Sequence, residues 1–543
     1  MNIKVEYEKP NFVFSFHYEK RLLDLVRSLP VREYDKSRKT WLVPELAIHT
    51  VNDQIEDSIL EWSDEASNRK EIIIRSIEKL VDYKFNDGQE ISSNANNKLV
   101  SELRPYQKAG VNYLKHAKRA ILADDMGLGK TIQSLQAVID LDLDTNLVLC
   151  PATLKWKWHN EFKKHFNIEA SVIEGGAKAR AEKWNGGSKF VIANYDLLLR
   201  DWNSMPKKWG SIIADECVYL KNPAAKRTKL AKKLNSNIKI GLSGWPLENN
   251  LLEFHSIMSW VRPEILPSAY KFKYRYINFN WDGKIASYKN LNELHALTSH
   301  FILRRTKDNV LKELPPKIYT EFPLDLGTKA KKAYKEIADG FISWLENESN
   351  EVSTVSILEQ LTRLRQFVEF PQSIDFDIDS IKLEWLDDIY SNTDKVVVFC
   401  GFRDSVKRIS EKFDNCYVLT GATKHEERFD LIERFNNDSK AVLAMTDAGK
   451  FGLDVVGAST IVHFGYSYNP ATIAQREDRL HRLGQKSTVN VLMPYINSTI
   501  DEGIRNVFLK REAQAKDFLE GSEQMSASIN LSRKEFMKLV KGG

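Results

Sequence analysis

The sequence predicts an α/β protein with two parallel-sheet lobes and a small α+β module at its amino terminus. Two blocks of short apolar runs, each run followed by a helical pattern, support this fold class. Such runs are typical of strands buried on both faces of a parallel sheet. We place the module at residues 1–90, the lobes at 99–265 and 381–520, a linker with a helical protrusion at 266–380 and a polar tail at 521–543.

Length and composition limit the class of protein. The 543 residues exceed what one hydrophobic core organises, and the net charge of 79 − 74 = +5 permits a polyanionic partner. No apolar run approaches the roughly 20 residues that span a bilayer, and no leader pattern opens the chain. The four cysteines form no C-x-x-C pair, which argues against zinc and disulfides. We expect no membrane partner and a cytoplasmic location in a bacterial or phage-infected cell, or a nuclear one in a eukaryote.

The amino-terminal module combines alternating strands with a helical segment. We predict strands at Ile3–Tyr7 and Phe12–Phe16, a helix over His17–Leu29, a hairpin over Val31–Pro44, further helix over 51–83 and a polar linker over 85–98. Basic residues of the hairpin lie beside Tyr34 and Trp41. This combination fits aromatic side chains that pack within the fold next to a solvent-exposed basic turn, and it fits nucleic-acid contact equally well.

Ten apolar runs give the strands of the two lobes. The predicted strands are Arg119–Ala123, Asn146–Pro151, Lys189–Asp196, Ser211–Glu216 and Ile238–Gly244, then Lys395–Gly401, Cys416–Gly421, Ala441–Asp447, Thr460–Gly465 and Val489–Pro494. Between the blocks, Tyr270–Tyr276 alternates aromatic and basic residues. We favour a strand with one buried face there over a surface that binds single strands. Thr328–Phe367 has a helical pattern and is expected to protrude or to pack across a lobe interface.

The segment ILADDMGLGKTI has the composition of a phosphate-binding loop. Gly127 and Gly129 let backbone N–H groups turn towards phosphates, Lys130 can reach the β and γ phosphates, and the Thr131 hydroxyl suits Mg²⁺. Asp124 stands where the strict G-x-x-x-x-G-K-[ST] pattern requires glycine. Taken alone, the segment therefore also fits an ordinary turn.

Charged residues further along the chain supply the rest of the chemistry. Asp215 and Glu216 end a predicted strand, where the first can hold Mg²⁺ and the second can orient and deprotonate water. Without the upstream loop they would fit a helix N-cap. Arg479 and Arg482 are three residues apart, which places them on one face of a predicted helix. Facing a γ-phosphate, they would neutralise the charge of the transition state.

Residues 100–515 resemble the Swi/Snf-type branch of the superfamily-two helicase-related ATPases. The matching segments are LRPYQKAGVNYL, ILADDMGLGKTIQ, LVLCPATLKWKW, VIANYDLL, FILRRTKDNVLKELPPK, DAGKFGLDVVGAST and QREDRLHRLGQ. The family's phosphate loop commonly carries an acidic pair at the first-glycine position, which accounts for Asp124. The resemblance implies two RecA-like lobes, ATP and Mg²⁺.

The same resemblance implies roles for particular residues. ATP contacts are expected from Arg104, Gln107, Met126, Gly127, Leu128, Gly129, Lys130, Thr131, Gly452, Asp454 and Gln475; Mg²⁺ contacts from Thr131 and Asp215; and nucleic-acid contacts from Lys155, Trp158, Asn194 and Lys450. The amino-terminal REYDKSRKTWLVP resembles the HARP-like module of annealing helicases, which suggests recognition of forked DNA.

Three positions depart from the family pattern. Val218 replaces the usual histidine of the acidic box, Trp245 replaces a small hydroxyl residue, and Lys450 replaces a glycine. The first two put the coupling of hydrolysis to DNA in doubt, because the family histidine links the γ-phosphate to the lobe interface. The indole could obstruct that relay or pack onto it. Lys450 could contact a backbone phosphate.

We therefore expect a DNA-dependent ATPase that tracks along duplex or forked DNA in repair, reannealing or fork remodelling, with other proteins on DNA as further partners. Alternatives are a nucleotide-gated DNA clamp with weak or altered hydrolysis, a remodeller that displaces proteins from DNA, and an enzyme that tracks along RNA. A nuclease is disfavoured because no second acidic cluster has metal-ligand spacing.

Overall fold

The computed structural model describes residues 2–85, 102–281, 283, 285–347, 354–447, 455–482, 484–520 and 533–542. The chain divides into two compact units. The first comprises Met1–Thr306 with Ala515–Ser528, and the second comprises Lys307–Gln514 with Ile529–Gly543. Residues 266–380, predicted as a linker and protrusion, are thus shared between the units. The polar linker predicted at 85–98 lies, except for Phe85, outside the described residues.

The amino-terminal module of the first unit is a five-stranded sheet with two helices. Its elements are β1 (Ile3–Glu8), β2 (Asn11–Ser15), β3 (Glu33–Asp35), β4 (Thr40–Pro44) and β5 (Leu60–Trp62), in the order β3-β4-β2-β1-β5, and helices α1 (Lys20–Ser28) and α2 (Asp64–Phe85). The antiparallel pairs β1–β2 and β3–β4 confirm the predicted strands and hairpin. Helix α2 begins later than predicted because Leu60–Trp62 pairs with β1 as a strand.

A seven-stranded parallel sheet forms the centre of the first unit. Its strands are β6 (Arg119–Leu122), β7 (Asn146–Cys150), β8 (Ser171–Val172), β9 (Phe190–Asn194), β10 (Ser211–Asp215), β11 (Ile238–Leu242) and β14 (Ile302–Leu303), in the order β14-β6-β11-β10-β7-β9-β8; a separate antiparallel pair is β12 (Ile277–Phe279) and β13 (Ile285–Tyr288). All five predicted strands of this lobe are confirmed, and each neighbouring pair in the sheet is parallel.

Helices follow the strands of the first unit along the chain. They are α3 (Pro105–Ala117), α4 (Lys130–Asp140), α5 (Lys155–Phe166), α6 (Ala177–Asn185), α7 (Leu197–Arg200), α8 (Lys226–Lys233), α9 (Leu251–Val261), α10 (Ala269–Tyr276) and α11 (Leu291–Thr298). The strand predicted at Tyr270–Tyr276 is wrong, because this stretch is α10. Phe272 and Tyr276, one helical turn apart, are buried, whereas Tyr270 and Tyr274 are exposed.

A six-stranded parallel sheet forms the centre of the second unit. Its strands are β15 (Lys317–Leu324), β16 (Lys395–Phe399), β17 (Cys416–Leu419), β18 (Ala441–Met445), β19 (Thr460–His463) and β20 (Val489–Ile496), in the order β15-β20-β19-β16-β18-β17. All five predicted strands are confirmed. Strand β15 was not predicted, because this edge strand is largely exposed and lacks an apolar run.

The helices of the second unit cover this sheet and extend beyond it. They are α12 (Lys307–Val310), α13 (Thr328–Asn347), α14 (Thr354–Glu369), α15 (Ile381–Ser391), α16 (Arg403–Lys412), α17 (His425–Asn437), α18 (Pro470–Glu477), α19 (Ile500–Glu520) and α20 (Arg533–Val540). The last six residues of α19 are assigned to the first unit. Buried side chains of α13 and α14, including Phe341 and Leu364, belong to the core of this unit. No helix within the described part of the chain is both long and apolar enough to cross a membrane.

Candidate functional site

The phosphate-loop segment connects β6 to α4 at the carboxyl edge of the first sheet. Gly127 has φ +85° and Gly129 has φ +76°, a backbone region that side chains disfavour. Lys130 begins α4, and its Nζ donates to the carbonyl oxygens of Asp124 at 2.7 Å and Asp125 at 3.1 Å. The lysine is thus held over the loop at a helix N-terminus, which suits an anionic ligand.

Asp124 occupies the missing-glycine position as a buried ion-pair partner. It is 0% exposed and accepts from Arg305 Nε at 3.0 Å and Nη2 at 2.5 Å, and from Gln133 Nε2 at 3.2 Å. A buried carboxylate requires such compensation. The departure from the strict loop pattern therefore has a structural role, because Asp124 attaches the loop to the 302–305 segment.

Strand β14 and the two arginines after it support the loop from the side. Ala123 N donates to Leu303 O at 2.6 Å, which continues the parallel pairing of β14 with β6. Arg305 also donates to the Tyr106 carbonyl and to Gln133 Oε1. The sequence predicted no role for Arg305, although it lies in FILRRTKDNVLKELPPK, one of the segments that resemble the family.

Arg304 brings Trp245 next to this support. Arg304 Nη1 donates to Gly244 O at 2.9 Å, and its guanidinium lies 5.3 Å from the centre of the Trp245 ring. The indole therefore packs against an arginine of the same segment that holds the loop. Its predicted effect on the relay between the lobes stays a prediction.

Gln107 and Arg104 lie beside the loop at the start of α3. Gln107 Oε1 accepts from the Arg104 backbone N at 3.0 Å, and its Nε2 donates to Leu128 O at 3.3 Å. A Cβ at Gly129 would lie 2.4 Å from Gln107 Nε2, so the amide can approach this closely only because the residue is glycine. Leu128 is buried, and Met126 and Thr131 are half-buried. Their contacts with ATP stay predictions.

The acidic pair lies at the same sheet edge as the loop. Asp215 ends β10, which is separated from β6 by β11 alone. Glu216 follows with φ +49° and ψ +56° and precedes the short turn Cys217–Leu220. Because carboxyl ends of parallel strands meet at one edge, the phosphate loop and the acidic pair share the position where open α/β sheets bind ligands.

Three groups fix Asp215. Trp158 Nε1 donates to Oδ2 at 2.7 Å, Glu216 N donates to Oδ1 at 3.0 Å, and the Tyr195 hydroxyl donates to the backbone carbonyl at 2.7 Å. Burial raises the pKa of Asp215, while the Trp158 hydrogen bond and the charge of Lys130 oppose the rise. Carboxylate and hydroxyl oxygens are ligands that a hard divalent cation prefers, and Asp215 and Thr131 supply one of each.

The residues predicted to contact nucleic acid have different environments. The prediction for Trp158 is wrong, because its ring is 1% exposed and its N–H is used by Asp215. Lys155 Nζ donates to Ile173 O at 3.1 Å. Asn194 ends β9, and its buried Oδ1 has no hydrogen-bond partner among the described residues. Lys450 lies outside the described residues, together with Gly452 and Asp454.

The arginine segment of the second unit is a turn and not a continuous helix. Helix α18 ends at Glu477, so the prediction that Arg479 and Arg482 share a helical face is wrong. Side chains also bind two backbone carbonyls in and after this helix. Arg479 Nε donates to Gln475 O at 3.3 Å, and Lys307 Nζ donates to His481 O.

Buried ion pairs hold this turn in place. Lys307 also pairs with Asp478, and Lys317 Nζ donates to Glu477 at 2.6 Å. Burial alone would raise the pKa of Glu477, but the charge of Lys317 holds it at about 2. Gln475 and Arg479 are buried, and Arg482 is half-buried. The segment is therefore a fixed structure within the second unit.

The region after the acidic pair contains no alternative catalytic group. Val218 packs against the apolar core of the first unit. Burial raises the pKa of the Cys217 thiol, which makes it a poor nucleophile and metal ligand. Within the described ranges, no three histidine, cysteine, aspartate or glutamate residues form a metal-binding group.

Comparison with known proteins gives matches over most of the chain. Residues 106–373 match the SNF2-related domain, and residues 381–484 match the helicase conserved C-terminal domain. An uncharacterized ATP-dependent helicase of Mycoplasma pneumoniae is 30% identical over 466 residues, which are 81% of this chain and 44% of the relative. Its counterpart from Mycoplasma genitalium is 31% identical over 467 residues, or 82% and 44%. The chain thus spans less than half the length of both curated relatives.

One solved structure of similar sequence is the Sulfolobus solfataricus SWI2/SNF2 ATPase core in complex with dsDNA. It is 28% identical, the match covers 84% of this chain and 99% of that one, and the TM-score is 0.40.

Proposed function

The chain belongs to the SNF2-related family of helicase-type ATPases, and we propose that it hydrolyses ATP while moving along duplex or forked DNA. The observation that carries the proposal is the shared edge of the first sheet, where Lys130 and Thr131 begin α4 and Asp215 and Glu216 follow β10. The two Mycoplasma relatives are described as ATP-dependent helicases, which supports ATP as the nucleotide.

The residues of the first unit divide the hydrolytic chemistry among them. Lys130 would leave the loop carbonyls and bind the β and γ phosphates. Thr131 and Asp215 would hold Mg²⁺, which when bound neutralises charge on the phosphate oxygens. Glu216 would orient the attacking water and accept its proton. Arg104 and Gln107 would contact the base.

The second unit would contribute positive charge and nucleotide contacts. We assign neutralisation of the transition state to Arg479 and Arg482, whose turn is held by the buried ion pairs of Lys307 and Lys317. Gln475 would contact ATP together with Gly452 and Asp454.

DNA binding would rest on phosphate contacts with little sequence preference. Lys155, Asn194 and Lys450 are the proposed contacts, and affinity should fall steeply as salt rises. We keep residues 99–265 and 381–520 as the ATPase lobes and residues 1–90 as a module that recognises DNA structure. Reannealing, repair or fork remodelling is the proposed role.

The deciding experiment is ATP turnover against single-stranded, duplex, forked and RNA substrates. We expect duplex or forked DNA to stimulate phosphate release, and Lys130→Ala to abolish it. Lys189→Ala is the matched control, because Lys189 lies on the surface of the same unit and pairs with exposed Asp142. Equal turnover with and without DNA, or full activity of Lys130→Ala, would overturn the proposal.

A nucleotide-gated clamp is the second candidate, favoured by Val218, which packs against the apolar core, and by Trp245, which packs against Arg304. Such a clamp, or a remodeller that displaces proteins, would change its DNA affinity with ATP but release little phosphate. Measuring DNA affinity with ATP and with ADP beside the turnover separates the candidates.

A further inference from the structure

A cavity of about 620 Å³ opens on the first unit, and no residue of the phosphate loop lines it. The β3–β4 hairpin of the amino-terminal module forms one side of it. Helix α10 and the residues after β13 form the other. Its size is within the range of small-molecule and nucleotide sites. Its lining residues include Arg32, Tyr34, Trp41, Tyr270, Lys271 and Tyr274.

Two pairs of aromatic rings line this cavity from different parts of the chain. The ring centres of Tyr34 and Trp41 are 4.9 Å apart, and those of Tyr270 and Tyr274 are 4.7 Å apart. Tyr270 and Tyr274 are 69% and 63% exposed, and Tyr34 is 42% exposed. Large apolar faces left open to water at one place indicate a surface that binds something. Planar bases are partners that suit such rings.

The charges around the rings are positive. Arg32, Lys271 and Lys289 form no ion pair with an acidic side chain among the described residues, and the cavity lining contains no aspartate or glutamate. Lys271 Nζ donates only to the Arg32 carbonyl, at 3.4 Å, and Arg32 Nε is buried without a hydrogen-bond partner in the described structure. Arg275 alone is neutralised, by Glu293. The lining therefore favours an anion.

We propose that this cavity, hereafter the aromatic cavity, binds unpaired nucleotides of a single strand. Bases would stack on the tyrosines and on Trp41, while Arg32, Lys271 and Lys289 would contact the phosphates. In a duplex the faces of the bases are already stacked on one another, so duplex DNA could contact only the basic side chains of the cavity. The exposed aromatic rings therefore favour unpaired strands over duplex. An acidic peptide would satisfy the lysines but leave the rings without planar partners.

This inference goes beyond the proposed ATPase function, because the aromatic cavity involves no residue of the nucleotide site. It adds a second nucleic-acid contact, formed jointly by the amino-terminal module and α10. A protein with this contact would hold unpaired nucleotides at a site separate from the contacts we assign to duplex phosphates.

The test is direct binding without ATP, measured by fluorescence anisotropy with labelled oligothymidylate, oligouridylate and a blunt duplex. We expect Tyr270→Ala with Tyr274→Ala to weaken binding of the single strands by about tenfold or more. The same pair changed to Phe keeps the rings and should bind within about twofold of wild type. Tyr18→Ala is the matched control, because Tyr18 is 83% exposed on the same unit but does not line the cavity.

Each outcome decides the proposal independently of ATP hydrolysis. Loss of affinity for either single strand in the Ala variant, with duplex affinity retained and the Phe and Tyr18 variants unaffected, supports it. Equal loss for single strand and duplex overturns it, as does unchanged affinity in the Ala variant or a wild type that does not bind single strands. As a second readout, 5-iododeoxyuridine photocrosslinking should label Trp41, Tyr270 or Tyr274; labels found only outside the aromatic cavity would contradict the site.

Discussion

Removing the Arg305 guanidinium should destabilise the first unit severely. In Arg305→Gln, the shorter amide cannot replace the two hydrogen bonds to Asp124, which is 0% exposed and, among the described residues, keeps only Gln133 as a side-chain partner. Breaking a buried ion pair in this way costs about 3–5 kcal/mol, because one charge stays buried without compensation. The hydrogen bonds to the Tyr106 carbonyl and Gln133 are lost as well. The expected loss is a large part of the total stability of a typical domain.

Urea unfolding followed by tryptophan fluorescence measures this loss, with ATP added to identify the transition of the nucleotide-binding unit. Adding Asp124→Asn to Arg305→Gln removes the uncompensated charge and should recover about 2 kcal/mol or more. Arg119→Gln is the control, because Arg119 donates to the Ser236 carbonyl before β11 and pairs with Glu264 but is partly exposed, and it should cost less than about 1 kcal/mol. A loss below about 1 kcal/mol in Arg305→Gln, or no recovery in the double variant, would refute the reasoning.

Three further changes test other parts of the structure. Trp158→Phe removes the hydrogen-bond donor that counteracts the rise in the pKa of Asp215 caused by burial. The pKa of Asp215 should therefore rise further, and the acid limb of the turnover–pH profile should move to higher pH. The pKa of Glu477 is 4.5 in the unfolded chain but about 2 in the folded protein, so its carboxylate stabilises the fold above pH 4.5 and this stabilisation is lost as the pH falls to about 2. Glu477→Gln should therefore lack this pH-dependent loss of unfolding free energy. Val218→His combined with Trp245→Thr should raise DNA-stimulated ATP turnover.

Matched variants control these experiments. Trp184→Phe removes a buried donor to Asp201, remote from the site, and should leave the pH profile unchanged. Glu411→Gln breaks an exposed pair with Lys407 and should not alter the acid unfolding profile. If the acid limb of the turnover–pH profile does not shift in Trp158→Phe, the Trp158 hydrogen bond does not control the pKa of Asp215. An acid unfolding profile of Glu477→Gln equal to that of wild type would contradict the stabilising role of the Glu477 carboxylate. Unchanged or lower turnover in the Val218→His, Trp245→Thr double variant would count against altered coupling.

Most of the fold could be predicted because parallel strands buried on both faces leave continuous apolar runs. All ten predicted lobe strands form, and the phosphate loop and acidic pair lie at the ends of β6 and β10, as their positions in the sequence indicate. The miss at Tyr270–Tyr276 has a physical cause. Alternating aromatic and basic residues satisfy a period of two, but burial of Phe272 and Tyr276 selects a period near four.

The supporting contacts of the site could not be predicted, because they join residues far apart in the chain. Arg305 and Asp124 are separated by 181 positions, and Trp158 and Asp215 by 57. A single sequence identifies residue types with catalytic chemistry, but buried polar partners become visible only when packing brings them together. The turn after Glu477 was missed for the same reason, since Lys307, far upstream, occupies a carbonyl of that turn.

The backbone of Glu216 has a consequence for engineering this protein. Its left-handed conformation, φ +49° and ψ +56°, costs a residue other than glycine about 1–3 kcal/mol. Glu216→Gly should therefore relieve strain while eliminating the proposed water-activating carboxylate. This single substitution should give a more stable protein that does not hydrolyse ATP and is therefore suited to capturing the ATP-bound state. At Glu216 the chain thus keeps a residue that its backbone conformation disfavours, and the proposed hydrolytic role of the carboxylate accounts for that choice.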